Sequence, residues 1–206
     1  MNRAAMFKHA LAKPLVLIAA AILPLSLAGC GNDAPAERPP LEGAAIGGPF
    51  TLIDKDGKTV RWDDFTGKWR IVYFGYTFCP DACPTDMAAT MRGFARFEKA
   101  EPELAATVQP IFISIDPARD TPRAVGEFAA AFHPRLTGLT GTEAQVAAAA
   151  KGFSAYYAKG QQSAGGYLMD HSRIAYLMDP QGNPIAMLPA DKGPEAVSAE
   201  LAKWVK

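Results

Sequence analysis

Tyr76-Thr77-Phe78-Cys79-Pro80-Asp81-Ala82-Cys83-Pro84-Thr85-Asp86 lies between an apolar run and a helical pattern, and it holds two of the chain's three cysteines. Pro80 biases Cys79 away from the helical region and Pro84 suits the first turn of a helix, so a strand over 69–76 ends here and a helix begins between 81 and 84. Both thiols then sit at a helix N-terminus. Unpaired N–H groups and the positive end of the helix dipole favour the thiolate there, the form that attacks disulfides and binds soft metals. The Cys-x-x-x-Cys spacing is one residue longer than that of a thioredoxin-type redox centre. Positions i and i+4 of a helical turn place Cβ atoms ~5–6 Å apart, against the ~3.8 Å that a disulfide wants, whereas two sulfurs on one metal stand on the order of 4 Å apart. The loop is suited to react or to hold a metal, with a structural disulfide or inert core thiols as the plainer alternative. A metal needs a third ligand.

Upstream, residues 1–13 carry Arg3, Lys8 and Lys13 with no acid, and 14–27 form an apolar run too short for a membrane span, the pattern of an export signal. The run ends Leu27-Ala28-Gly29-Cys30 and resembles the lipobox at which bacterial lipoproteins are lipidated on cysteine and cleaved before it. Cys30 is therefore expected to carry lipid, with 1–29 the signal peptide, 30–47 a flexible Pro/Ala/Gly/Glu-rich tether and 48–206 the folded domain. The chain has 21 basic and 21 acidic residues, so loss of 1–29 leaves 18 against 21 and a net charge of about −3. With no basic cluster and no zinc-finger or RNA-binding signature, nucleic acid is not an expected partner. In an oxidising compartment Cys79 and Cys83 persist as thiols only if a partner reduces them or a metal protects them.

Within the domain, 49–54 and 59–62 flank Asp54-Lys55-Asp56-Gly57-Lys58 and predict a β-hairpin. The strand over 69–76 is apolar enough to be covered on both faces of a mixed sheet. Met87, Met91 and Phe94 mark the buried face of the following helix, and the two methionines are assigned to packing. A second buried strand over 108–115 runs into Asp116-Pro117-Ala118-Arg119-Asp120-Thr121-Pro122, with Asp120 or Thr121 capping a helix over 122–132. If the strands are parallel, that loop shares the sheet edge of the cysteines, and Asp116 is the candidate for supporting the site; the alternative is that Asp116 and Asp120 cap and Arg119 pairs with a surface carboxylate. A short strand over 136–140, an alanine-rich helix from Thr142 to Phe153, a glycine-rich stretch over 160–168 read as a flexible exposed loop, a late hairpin over 174–188 and a last helix over 194–205 complete the domain.

The chain has three histidines, of which His9 leaves with the signal. His133, at a helix end before Pro134, reads as a cap or as solvent-exposed. His171 precedes the late hairpin, with Asp170 and Ser172 placed to orient its ring.

The element order matches an α/β, thioredoxin-like fold with a mixed central sheet flanked by helices and an N-terminal hairpin, in which the segment entering the late hairpin approaches the cysteine loop. The segments 73–84, 112–121, 136–142 and Asp170-His171-Ser172 resemble, in order, the signatures of the SCO/SenC family. The resemblance implies a thioredoxin-like fold, copper held by Cys79, Cys83 and His171, and assistance to assembly of the copper A centre of cytochrome c oxidase. Its implied partners are the copper A-bearing subunit and other periplasmic copper chaperones or thiol reductases. The domain would face the periplasm or outer surface on a lipid anchor, where many relatives use a transmembrane helix. Two thiolates and an imidazole suit Cu(I) and tolerate Cu(II), whereas zinc favours a fourth ligand. This reading makes the chain a metallochaperone and not an enzyme. The alternatives are a thiol–disulfide oxidoreductase, for which Cys79 and Cys83 suffice, and a peroxiredoxin-like peroxidase, whose active-site turn wants threonine where Pro80 stands.

Overall fold

The computed structural model describes residues 37–163 and 166–206; the expected signal sequence and Cys30 lie outside them. Hairpin strands β1 (Thr51–Ile53) and β2 (Thr59–Arg61) meet at a turn in which Asp54 Oδ1 accepts the N–H groups of Asp56 and Lys58 and Gly57 takes φ +74°. Next come β3 (Trp69–Gly75), α1 (Ala82–Ala100), the short α2 (Pro102–Ala106), β4 (Val108–Ser114), α3 (Pro122–Phe132), β5 (Thr137–Leu139) and α4 (Glu143–Gly152). Two further hairpins follow, β6 (Tyr157–Ser163) with β7 (Gly166–His171) and β8 (Ala175–Met178) with β9 (Pro184–Leu188), before the closing helix α5 (Pro194–Trp204).

The main sheet has the order β5-β4-β3-β8-β9, with β3, β4 and β5 parallel and β8 and β9 antiparallel. This is the expected mixed, thioredoxin-like sheet. Successive right-handed crossovers from β3 to β4 to β5 advance in one direction and so put α1 and α3 on the same face. There Tyr73 stacks on Phe112, Phe112 meets Phe128 of α3, and α5 packs on α1 so closely that a Cβ on Gly93 would stand 2.5 Å from Val197. The opposite face is covered by Phe153 against Phe74 and by Trp62 against Phe153 and Phe50. With both faces covered, every residue of β3 after Trp69 is buried, and each large apolar side chain so placed contributes about 1.5–3 kcal/mol.

Local signals act as expected in most elements. Thr121 caps α3, its hydroxyl accepting from Ala124 N–H, while Thr142 and Gln145 form a capping box on α4. Two expectations are corrected. The stretch over 160–168 is not a free loop, because Tyr157–Lys159 pairs antiparallel with Met169–His171 and Gln162 with Tyr167, around a register shift. Glycine suggested flexibility, but the period-two burial of Tyr167, Met169 and His171, with Leu168 and Asp170 exposed, marks a strand lying on the protein. The expected tether also ends earlier than Gly47. Leu41 N–H bonds Ile185 O and Gly47 N–H bonds Gly152 O, while Leu41 and Ile46 pack against the core and Glu37 pairs with Lys203.

Candidate metal centre

Cys79, Cys83 and His171 come together at the carboxyl end of β3. Their three ligand atoms lie within 4.8 Å of one another, and no other group of three His, Cys, Asp or Glu ligand atoms so gathers among the described residues. Cys83, fully buried, stands in the first turn of α1, and half-buried Cys79 lies two residues before its N-cap, Asp81. Asp81 makes no side-chain cap; a sulfur substitutes for it, Cys79 Sγ accepting the Cys83 N–H at 3.3 Å. Both cysteines are free thiols.

His171 ends β7, and its Nε2 lies 3.1 Å from Cys83 Sγ. The Nδ1–H donates to Ser172 O at 2.9 Å, which leaves the Nε2 lone pair facing the sulfur as a metal ligand requires. Ser172 thus orients the ring, though through its carbonyl; its hydroxyl accepts the Tyr156 N–H. Asp170, exposed on the other side of the strand, does not take part in that bond. The rings of Tyr73 and Tyr76 stand nearly perpendicular to the imidazole, with centroids 6.3 and 5.9 Å away.

The two thiols are not equivalent, which corrects the expectation of two activated thiolates. Burial is the largest influence on Cys79 and pushes it up, but the backbone N–H groups of Cys83 and Asp81, with the Cys83 thiol and the Tyr76 hydroxyl, outweigh it and bring the thiol below its ordinary value. Burial dominates at Cys83 and pushes it well up, and a negative Cys79 raises it further. Both thiols stand at the same helix end, but Cys83 lies deeper.

Four polar side chains around the site have different roles. Asp120, read as a possible cap, is buried and accepts from Thr77 N–H (2.9 Å), Thr77 Oγ1 (2.6 Å) and Ser114 Oγ (2.6 Å), so it ties the cysteine loop to the end of β4. Asp116 bonds none of the three ligands; its carboxylate accepts from Arg119 Nε and, at 2.7 Å, from Tyr167 Oη on the strand that carries His171. Arg119 does not pair with a surface carboxylate. Its guanidinium donates to Tyr167 O at 2.8 Å and lies over the rings of Tyr167, Phe78 and Tyr76 at 3.7, 5.0 and 5.8 Å, joining the cysteine loop to the β6–β7 hairpin. Asp86, which sequence reading passed over, is buried one turn after Cys83 and accepts from Tyr73 Oη and from two nitrogens of Arg173. Its i+3 spacing from Cys83, next to Met87 on a buried face, was the available signal.

His133 lies away from the site. It terminates α3, with Nδ1 accepting the Arg135 N–H and Nε2–H donating to Glu98. A cleft of about 510 Å³ lies beside the hairpin, lined by Asp116, Lys159, Tyr167 and Met169 among others but by none of the three ligand residues. No helix among the described residues is long and apolar enough to cross a membrane.

The donor set is two sulfurs and one nitrogen, with no fourth His, Cys, Asp or Glu ligand in the group among the described residues, which fits copper better than structural zinc. The SCO1/SenC family model matches residues 38–206. The chain is 44% identical over 147 residues to the mitochondrial SCO1 homolog 1 of Arabidopsis thaliana, covering 71% of this chain and 43% of that protein. It is 43% identical over 155 residues to the protein SenC of Rhodobacter capsulatus, covering 75% and 68%. The chain spans about half the length of several curated relatives it matches. Among solved structures, Arabidopsis thaliana ScoI with copper bound superposes with a TM-score of 0.72 at 37% identity, covering 77% of this chain and 96% of that one. The family-model match, the sequence identity and the structural likeness agree, and the chain belongs to the SCO1/SenC family.

Proposed function

We propose that this chain is a lipid-anchored, extracytoplasmic copper chaperone that holds one copper through Cys79, Cys83 and His171 and assists assembly of the copper A centre of cytochrome c oxidase. The observation that carries the reading is the convergence of two thiol sulfurs and a correctly oriented imidazole within 4.8 Å. The copper held by the Arabidopsis relative supports it. Bound copper is cargo here, and the protein's task is to hold it and let it go. Cys79, the more exposed thiol, is placed to be reached first by an incoming ligand, while Cys83 is shielded by Tyr73 and His171.

A second reading, a reductase for the partner's copper A cysteines, is favoured by the thiol asymmetry, since an activated outer thiol and a protonated inner one divide attack from resolution. It does not need His171. The test is anaerobic copper titration of the reduced full chain, followed by oxidase assembly in strains carrying each ligand variant under limiting copper. The chaperone reading expects one Cu(I) per chain, weakened by Cys79→Ser and Cys83→Ser, and failed assembly with His171→Ala. Normal assembly with His171→Ala alongside failure of both cysteine variants decides for the reductase. Mass spectrometry of the mature N-terminus tests the anchor: an acyl group on Cys30 is expected, and an unmodified or Met1 start overturns it.

A further inference from the structure

His171 is held in place by little backbone structure of its own. It closes a two-stranded hairpin separate from the main sheet, pairing with Tyr157, and 172–174 has no regular structure before β8 begins. An isolated hairpin is at best marginal in water, so the position of its last residue must be set from outside. Two residues beyond His171, Arg173 donates Nε and Nη2 to the two oxygens of Asp86 at 2.9 and 2.7 Å. Asp86 is on α1, one turn from Cys83, with its side chain 5% exposed, and it also accepts Tyr73 Oη at 3.0 Å. A fork donating to both carboxylate oxygens fixes direction as well as distance, which a single contact or an ammonium would not. It also supplies a positive charge to a carboxylate that would otherwise stand buried with only the Tyr73 hydroxyl as partner.

We infer that the Arg173–Asp86 pair is a positioning device that sets His171 over Cys83 and thereby governs the site's hold on Cu(II), with a smaller effect on Cu(I). The inference rests on the copper reading above. Cu(I) is soft and can be held by two thiolates alone, whereas Cu(II) favours nitrogen donors and higher coordination, so a displaced imidazole costs the oxidised ion more. Arg173 acts only through His171; it approaches the carboxylate and not the metal ligands. Its side chain is 54% exposed, so its replacement opens no cavity in the core.

The experiment loads the full chain with Cu(II) and, separately, anaerobically with Cu(I), for wild type, Arg173→Gln and Asp86→Asn, each also in a His171→Ala background. Affinities come from chelator competition, Cu(II) geometry from electron paramagnetic resonance and the sulfur-to-copper absorption band, and folding from near-ultraviolet circular dichroism. Arg173→Gln is expected to keep the fold, shift the Cu(II) spectrum and weaken Cu(II) about 10- to 100-fold, with a smaller factor for Cu(I). In the His171→Ala background the same substitution should add almost nothing to the Cu(II) loss. An unchanged Cu(II) spectrum and affinity in Arg173→Gln, or an equal loss with and without His171, overturns the inference. A wild-type chain that binds neither ion overturns the copper reading instead, so the two failures are distinct. Asp86→Asn checks the partner, and Arg173→Gln decides the matter if Asp86→Asn does not fold.

Discussion

The sulfur of Cys79 accepts the backbone N–H of Cys83 at 3.3 Å, so the thiol takes the place of an oxygen cap on the helix that carries its partner. Helix N-termini stabilise negative charge, and this contact lets one cysteine use that field while the other is closed off by burial.

The pair should therefore react unequally. With its pKa lowered, Cys79 reaches its reactive thiolate form at a lower pH than an ordinary free thiol, and alkylation of the reduced apo chain should reach its plateau correspondingly earlier. Cys83, raised by burial, should stay slow through the same range. Mass-resolved alkylation from acid to alkaline pH reads both; equal rates, or Cys83 reacting first, would contradict the asymmetry.

Gly75 has no room for a side chain. A Cβ there would stand 2.9 Å from Tyr73 Cε1 and 3.0 Å from both Cys83 Sγ and Phe112 Cε2. Gly75→Ala should cost about 1–3 kcal/mol through overpacking and displace the Cys83 sulfur. Denaturant unfolding and metal titration of the same variant should both move; wild-type values in both would mean the strand end adjusts freely.

Arg119 joins the hairpin to the cysteine loop. Arg119→Ala removes the bond to Tyr167 O and leaves buried Asp116 without its cation, a loss of about 1–3 kcal/mol. Exposed ion pairs are worth less than this. The loss should be local, seen as faster amide exchange across β6 and β7 and not in β3. Uniform change across the chain would point to general destabilisation.

Asp120 anchors the cysteine loop through Thr77 and Ser114. Asp120→Ala should leave three buried or half-buried donors unpaired and lower stability on the order of 2–5 kcal/mol. Thr121→Ala, which removes only a cap, should cost about 1 kcal/mol. If thermal unfolding ranks the two the other way, Asp120 is no more than a turn residue.

Local chemistry in the sequence was enough to determine the elements that depend on it: Pro80 and Pro84 ended a strand and began a helix, Asp54 and Gly57 made a turn, Thr121 and Thr142 capped helices, and the apolar stretches after Trp69 and Val108 became the parallel centre of the sheet. The three candidate ligands were legible too, two from their spacing and His171 from the order of elements together with the resemblance. What only the tertiary structure decided depends on contacts between residues far apart in the chain. Depth separated Cys79 from Cys83 although both share one helix end. A glycine-rich stretch became strands β6 and β7, because cross-strand bonds and anchoring by Arg119 outweigh the backbone freedom of glycine. Asp86 met Arg173 across 87 positions of sequence, and no local pattern shows that a carboxylate on a helix will find its cation beside a histidine on another element.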